Sequence, residues 1–204
     1  MTTPIDFYFD FISPFSYFAL QRLPGIARRF GRDINYVPVD LAELKLRAGN
    51  TAPPTRMMPM KLRHLKIDQQ RWARHYGVPI ATPAHYDSSL LNRGAFFALD
   101  RGSIEPYALY AYARVWGEGW SMLDERLFAG AADICGCDLA AFMDFAHSDA
   151  SAARYRQSTA AAHERGVFGV PTMMVGDEMW WGNDRLDFMT EWLAQNGDMN
   201  RSPA

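Results

Sequence analysis

Apolar and amphipathic stretches alternate along the first forty residues. Residues 7–12 are largely aromatic and β-branched, as in strands that are buried on both faces. Apolar residues then recur at helical spacing through Phe18, Leu23 and Ile26, and residues 34–39 have the composition of a second strand. This order predicts a strand-helix-strand unit whose two strands are parallel and joined by a right-handed crossover.

The middle of the chain has the periodicity of helices rather than strands. Helices are predicted at residues 41–48, 58–76, 91–100, 106–117, 122–132 and 138–147, with a loop rich in glycine and proline at residues 49–55. The second of these helices should end at Gly77, because Pro79 follows two residues later. Residues 41–149 are therefore predicted to form an all-helical insertion.

Strand patterns return near the C-terminus. A helix at residues 150–165 is followed by predicted strands at 168–175 and 178–181, a turn at Gly176-Asp177 and a closing helix at 185–195. The whole order predicts an α/β protein, a thioredoxin fold interrupted by an all-helical insertion domain. Residues 1–40 and 150–204 would form the thioredoxin-like domain, and residues 41–149 the insertion.

Composition excludes several classes of function. The 204 residues are 49% hydrophobic and 22% charged, as in ordinary globular proteins, and the net charge of −2 gives no basic surface for nucleic acid. No apolar run is long enough to span a bilayer, and the first apolar segment contains Asp6 and Asp10 without a preceding basic stretch. We therefore expect a cytoplasmic protein without a membrane segment. Cys135 and Cys137 have no second pair of ligands at metal-binding spacing, so we expect two reduced thiols and no metal.

The corner at residues 13–16 is the first candidate site. Ser13 is a suitable N-cap and Pro14 fits the first helical turn, and a helix N-terminus attracts anions. Ser13-Pro14-Phe15-Ser16 has the spacing of the C-x-x-C motif of thioredoxin-type enzymes, but serine cannot form a disulfide, so the corner itself cannot carry out redox exchange. The Ser13 hydroxyl could still donate a hydrogen bond to the sulfur of another molecule. The alternative is that Ser13 only caps the helix.

Two corners near the C-terminus supply candidate residues for binding a short peptide. The Val170-Pro171 bond is predicted to be cis, with the backbone of Val170 free to pair with an extended peptide, unless Pro171 is simply an edge-strand proline. At the other corner, Arg185 could bind a carboxylate and Asp184 an ammonium group, unless the polar side chains only cap a helix. Together with Ser13, these corners would fit the tripeptide thiol glutathione. The predicted binding residues are Ser13, Val170, Pro171, Trp181, Gly182, Asn183, Asp184 and Arg185.

Several motifs give the chain a specific resemblance. They are F-D-F-I-S-P-F-S-Y, K-L-R-H-L-K-I-D-Q-Q-R-W-A, V-W-G-E-G, F-G-V-P-T and W-W-G-N-D-R-L, and they extend over essentially the whole chain. The chain resembles the 2-hydroxychromene-2-carboxylate isomerases, which are relatives of the kappa-class glutathione transferases. The resemblance implies a glutathione-dependent cis–trans isomerisation between 2-hydroxychromene-2-carboxylate and trans-o-hydroxybenzylidenepyruvate in naphthalene-type catabolism. It also implies a homodimer.

The resemblance assigns roles to individual residues. Ser13 matches the family's catalytic serine and would act on the glutathione sulfur, whose thiolate would add to the conjugated enone and later leave. Lys45, Arg56 and Tyr86 match positions that contact the aromatic carboxylate substrate, and Thr55 stands where close relatives carry asparagine. Two alternatives stay open: a kappa-like glutathione transferase or peroxidase that consumes the thiol, and a non-catalytic thioredoxin-fold module that binds a thiol peptide.

Overall fold

The sheet lies in the thioredoxin-like part of the chain, in a computed structural model that describes residues 2–196. Its strands within those residues are β1 (Ile5–Phe9), β2 (Ile34–Pro38), β3 (Thr172–Val175) and β4 (Glu178–Trp181). They form one mixed sheet in the order β2-β1-β3-β4. β1 pairs parallel with β2 and antiparallel with β3, and β3 pairs antiparallel with β4. The predicted strand-helix-strand start and C-terminal hairpin are confirmed.

The helices connect and cover this sheet. They are α1 (Pro14–Arg29), α2 (Leu41–Arg47), α3 (Pro59–Tyr76), α4 (Ser89–Asp100), α5 (Ile104–Tyr112), α6 (Glu125–Ile134), α7 (Leu139–His147), α8 (Asp149–Glu164) and α9 (Leu186–Asn196). Short 3₁₀ turns occupy Thr55–Met57 and Asn183–Arg185, and a π-helical segment, Ala113–Gly117, continues α5. Within the described residues, no strand interrupts residues 41–149, and no helix is long and apolar enough to cross a membrane. The α/β thioredoxin fold with a helical insertion is therefore confirmed, whereas the exact domain boundaries stay a prediction.

Some element boundaries differ from the sequence-based expectation. The first strand ends at Phe9 rather than Ile12, because Asp10 turns the chain: its side chain accepts the Ile12 N–H and its carbonyl accepts the Ser13 N–H. The predicted strand at residues 168–175 is regular only from Thr172. The helix expected from residue 122 begins at Glu125, since Asp124 caps it.

The core unites the thioredoxin-like part with the insertion. Phe7 and Phe9 are fully buried on one face of β1, while Tyr8 packs with Val39 and other apolar side chains on the opposite face. The Phe9 ring touches that of Phe11, which packs against Tyr112 of α5 with ring centroids 4.6 Å apart. Because aromatic rings bury large apolar areas, this cluster fixes the end of β1 against the insertion helices.

Candidate active site

The corner between β1 and α1 is held from both sides. Ser13 caps α1, and its Oγ accepts the Ser16 N–H at 3.2 Å. Three side chains of the insertion bind the backbone just before it: Asn92 accepts from the Phe11 N–H, the Tyr112 hydroxyl donates to the Asp10 carbonyl, and the Trp116 indole donates to the Phe11 carbonyl. The insertion thus positions the residue that the sequence singles out.

The Ser13 hydroxyl is suited to donate to a ligand. Ser13 is only 4% exposed and lines a cavity, and its oxygen accepts one amide while its own proton has no acceptor among residues 2–196. The N-terminal amides of α1 add positive potential at the same place. An anion bound beside Ser13, such as a thiolate, would be stabilised by both.

Three adjoining cavities form one groove along this corner. The central cavity, of about 290 Å³, contains Ser13 and lies mainly among apolar side chains, including Ile12, Phe15 and Trp116. The inner cavity, of about 440 Å³, shares Ile12, Leu41, Lys45, Pro54, Thr55 and Tyr86 with it. The outer cavity, of about 480 Å³, shares Phe15, Val170 and Trp181 with the central one. The groove therefore has room for two ligands that meet at Ser13.

The outer end of the groove brings together the predicted peptide-binding residues. The Val170-Pro171 bond is cis, as predicted, and the Val170 N–H and C=O have no hydrogen-bond partner within residues 2–196. Val170, Pro171 and residues 181–185 all line the outer cavity. Gly182 there has a φ of +111°, a conformation that L side chains rarely adopt.

The polar residues at this end differ in exposure and pairing. Asn183 is buried, and its amide nitrogen has no partner among the described residues. Asp184 is exposed and forms an ion pair of 3.1 Å with Arg185. These residues form a 3₁₀ turn directly before α9, which begins at Leu186, and the alternative in which Asn183 or Asp184 caps the closing helix stays open.

The inner cavity holds the predicted substrate residues. Lys45 of α2, Thr55 and Tyr86 line both the inner and central cavities. The Arg56 backbone lies in the 3₁₀ turn Thr55–Met57, but its side chain is outside the described part of the structure. The structure therefore brings three of these four side chains to the groove.

Asp10 and Lys45 give the inner cavity its electrostatics. The Asp10 carboxylate is buried and accepts hydrogen bonds from the side chains of Ser88 and Asn92, both at 2.6 Å, and from the amides of Ile12 and Leu41. Burial raises the pKa of Asp10, although these bonds oppose the rise. Burial also lowers the pKa of Lys45, while the charge of Asp10 raises it and that of Lys61 lowers it again.

Several polar residues of the groove were not identified from the sequence. They include Asp10 and Lys61 in the inner cavity and Lys66 and Gln69 in the central one. Only Gln69 had a visible signal, since it lies four residues after Leu65 and seven after Leu62, on the apolar face of α3.

The two cysteines lie elsewhere. Both are free thiols at the C-terminal end of α6, and neither lines the groove. Burial raises the pKa of both thiols, which favours the unreactive protonated form. Residues 2–196 contain no cluster of His, Cys, Asp and Glu side chains that could hold a metal ion.

Comparison with known proteins places the chain in a family. Residues 4–194 match the family model of the DSBA-like thioredoxin domain. The chain is 48% identical over 201 residues to a 2-hydroxychromene-2-carboxylate isomerase of Pseudomonas putida, covering 96% of this chain and 98% of that protein. A solved structure of a 2-hydroxychromene-2-carboxylate isomerase superposes with a TM-score of 0.90 at 43% identity, over 98% of this chain and 99% of that one.

A more distant relative is named for a different activity. The glutathione S-transferase kappa 2 of Caenorhabditis elegans is 24% identical over 207 residues, covering 94% of this chain and 92% of that protein. The matches at 48% and 43% identity extend over nearly the full length of both partners, so they determine the assignment. This chain belongs to the DSBA-like thioredoxin domain family and, within it, to the 2-hydroxychromene-2-carboxylate isomerases.

Proposed function

We propose that this enzyme interconverts 2-hydroxychromene-2-carboxylate and trans-o-hydroxybenzylidenepyruvate with glutathione as cofactor, in the breakdown of naphthalene-type hydrocarbons. The observation that carries the proposal is the groove, in which Ser13 lies between an outer cavity lined by peptide-binding groups and an inner cavity lined by a lysine. Family membership supports the reaction, and the kappa-class relative supports the cofactor. We also infer from the resemblance that the enzyme is a homodimer.

The residues of the outer and central cavities fit a tripeptide thiol. The unpaired backbone groups of Val170 can bind an extended peptide, and the buried amide nitrogen of Asn183 has no protein partner within the described residues. Asp184 offers a carboxylate to the ammonium group, and Ser13 with the amides of α1 offers donors to the sulfur. When bound, glutathione would supply a thiolate that adds reversibly to the conjugated enone, which would convert the carbon–carbon double bond into a single bond that can rotate before the thiolate leaves and the double bond forms again.

The residues of the inner cavity fit an aromatic carboxylate. Lys45 supplies a cation that is half-buried, so its attraction for a carboxylate is screened less than at a fully exposed site. The Tyr86 ring lies 6.2 Å from that of Trp116, and both line the central cavity, where they form an aromatic wall. Ser13 then faces the junction at which thiol and enone would meet.

Replacing Asp184 with alanine is expected to weaken glutathione binding about tenfold, the value of roughly one hydrogen bond to a charged group. The fold should be preserved, because the exposed ion pair with Arg185 stabilises it by at most about 1 kcal/mol. The measurement is the glutathione concentration that gives half-maximal rate. Asp187→Ala, which removes another exposed carboxylate of the same region, is the control. Equal values for Asp184→Ala and the wild type would exclude this role.

Replacing Lys45 with alanine is expected to raise the KM for the aromatic carboxylate about tenfold without changing that for glutathione. Because burial lowers the pKa of Lys45, the wild-type KM should begin to rise at a lower alkaline pH than an exposed lysine would cause. That rise should be absent in Lys45→Ala. Arg47→Ala, an exposed cation on the same helix, is the control. A KM that is unaffected at every pH would show that Lys45 does not bind the substrate.

The function is tested with trans-o-hydroxybenzylidenepyruvate and purified enzyme, followed by absorbance. An isomerase should turn over many substrate molecules for each glutathione molecule present and return the thiol unconsumed. Consumption of one thiol for each product would instead identify a transferase or peroxidase. Binding of glutathione without any turnover would identify a binding module.

A further inference from the structure

Helix α3 forms one wall along the whole groove. Met58, just before its first residue, and Lys61 line the inner cavity. Leu62, Leu65, Lys66 and Gln69 line the central cavity, and Asp68 and Trp72 line the outer one. Position along α3 therefore indicates position along the groove, from the carboxylate end to the peptide end.

Gln69 is a largely buried residue of this wall that carries an unpaired amide. The residue is only 7% exposed, and its amide forms no hydrogen bond within residues 2–196 but remains accessible to solvent. It lines the central cavity together with Leu62 and Leu65 of its own helix. Because no protein group among the described residues pairs with this amide, it is available to hydrogen-bond a ligand in the central cavity.

The place of Gln69 on α3 indicates which ligand. Gln69 lies between Asp68 and Trp72 in sequence, and both of these residues line the outer cavity. Gln69 is therefore at the end of the central cavity that adjoins the outer cavity. Lys45, Thr55 and Tyr86 lie at the opposite end, where the central cavity adjoins the inner one. Gln69 is thus on the side of the peptide thiol rather than on that of the aromatic carboxylate.

We propose that the Gln69 amide binds the cysteinyl segment of the tripeptide thiol, an inference that rests on the proposed glutathione dependence. A primary amide has a carbonyl acceptor and two N–H donors, which match the peptide groups on either side of a cysteine. Val170 offers its unpaired backbone groups to the same central cavity. The segment is therefore held between α3 and the loop before β3, with its sulfur at Ser13.

The test compares Gln69→Leu with Gln70→Leu by calorimetric titration with glutathione. Leucine is similar in size and removes the amide, and Gln70 is the exposed neighbour on the same helix, outside all three cavities. Gln69→Leu should raise the Kd for glutathione about tenfold, and Gln70→Leu should leave it unchanged. The KM for the aromatic carboxylate should stay the same in both variants.

Thermal unfolding separates a binding role from a structural one. Without ligand, Gln69→Leu should unfold at the wild-type temperature or above it, since the change removes no hydrogen bond within the described residues and adds an apolar side chain beside Leu62 and Leu65. With glutathione present, its rise in Tm should be smaller than that of the wild type, because ligand stabilisation depends on Kd. Gln69→Met serves as a second apolar variant if leucine does not fold.

The outcomes are distinct. A wild-type Kd in Gln69→Leu, with glutathione binding intact, would overturn this inference and leave the proposed function standing. A lower Tm without ligand would assign Gln69 a structural role and also overturn it. If the wild type itself bound no glutathione in the calorimeter, both the cofactor assignment and this inference would fail.

Discussion

Replacing Ser13 with alanine is expected to lower kcat/KM about tenfold to a hundredfold at neutral pH. The hydroxyl has a free proton to donate, and a hydrogen bond to a charged group contributes roughly 1.5–3 kcal/mol. Turnover should not be abolished, because in the proposed mechanism the nucleophile is the sulfur of glutathione and the N-terminal amides of α1 remain.

The proposed role of Ser13 also predicts the direction in which the pH–rate profile should shift. Without the Ser13 donor the thiolate is less stabilised, so the pKa of the bound thiol rises and a smaller fraction is ionised at neutral pH. The rate profile of Ser13→Ala should therefore move to higher pH, and the difference from the wild type should shrink as pH increases. A complete loss of activity at every pH, with a wild type that does not respond to glutathione, would indicate a covalent serine nucleophile instead.

Glycine at the same position separates catalysis from capping. Ser13 also caps α1, and alanine at an N-cap costs about 1 kcal/mol of stability whereas glycine costs only a few tenths. Ser13→Gly should therefore lose as much activity as Ser13→Ala while unfolding closer to the wild-type temperature. If activity followed stability across the two variants, the cap would be the main contribution of Ser13.

Replacing Asp10 with alanine is expected to lower the free energy of unfolding by about 3 kcal/mol or more. The change leaves the partly buried amides of Ile12 and Leu41 without their acceptor, at up to about 1–3 kcal/mol each. It also removes the acceptor that Ser88 and Asn92 share. Urea unfolding measures the effect. Asp144→Ala, which removes an exposed aspartate of α7, is the control and should change stability by less than about 0.5 kcal/mol.

The pH dependence of stability tests the state of the Asp10 carboxyl. Because burial raises its pKa in the folded state, the folded protein holds this proton more tightly than the unfolded chain does. The contribution of Asp10 to stability should therefore fall as the pH rises from 3.8, the ordinary pKa of an aspartate, through the raised pKa of the folded state. Asp10→Asn cannot titrate and should lack this component. Identical pH dependence in Asp10→Asn and the wild type would contradict the raised pKa.

Local sequence determined much of the fold. Ser13 and Pro14 predicted the start of α1, and Gly77, with a φ of +67°, predicted the end of α3, because capping depends on residues within one helical turn. Gly176-Asp177 predicted the hairpin between β3 and β4, because the residues of a tight turn are also adjacent in sequence. Spacing also predicted that the middle of the chain is helical, since periodicity along a helix is a local property.

The ends of strands were less predictable where buried side chains belong to a turn rather than to the strand. Residues 10–12 continue the apolar composition of β1, but Phe11 is buried against Tyr112 from within a turn rather than a strand. Composition reports that a side chain is buried, not which backbone conformation carries it. The carboxylate of Asp10, which stabilises that turn, has partners as distant as Ser88 and Asn92.

The candidate site divides in the same way. The roles proposed for Ser13 and Asp184 came from the sequence and the family resemblance, because each lies at a recognisable corner of the chain. The grouping of Asp10 with Lys45, and of Gln69 with Val170, was decided only by the tertiary structure. These residues come from elements that are distant in sequence, and only the packing of the helical insertion onto the sheet brings them to one groove. Local patterns contain no information about such contacts, since these depend on how elements pack rather than on how each one forms.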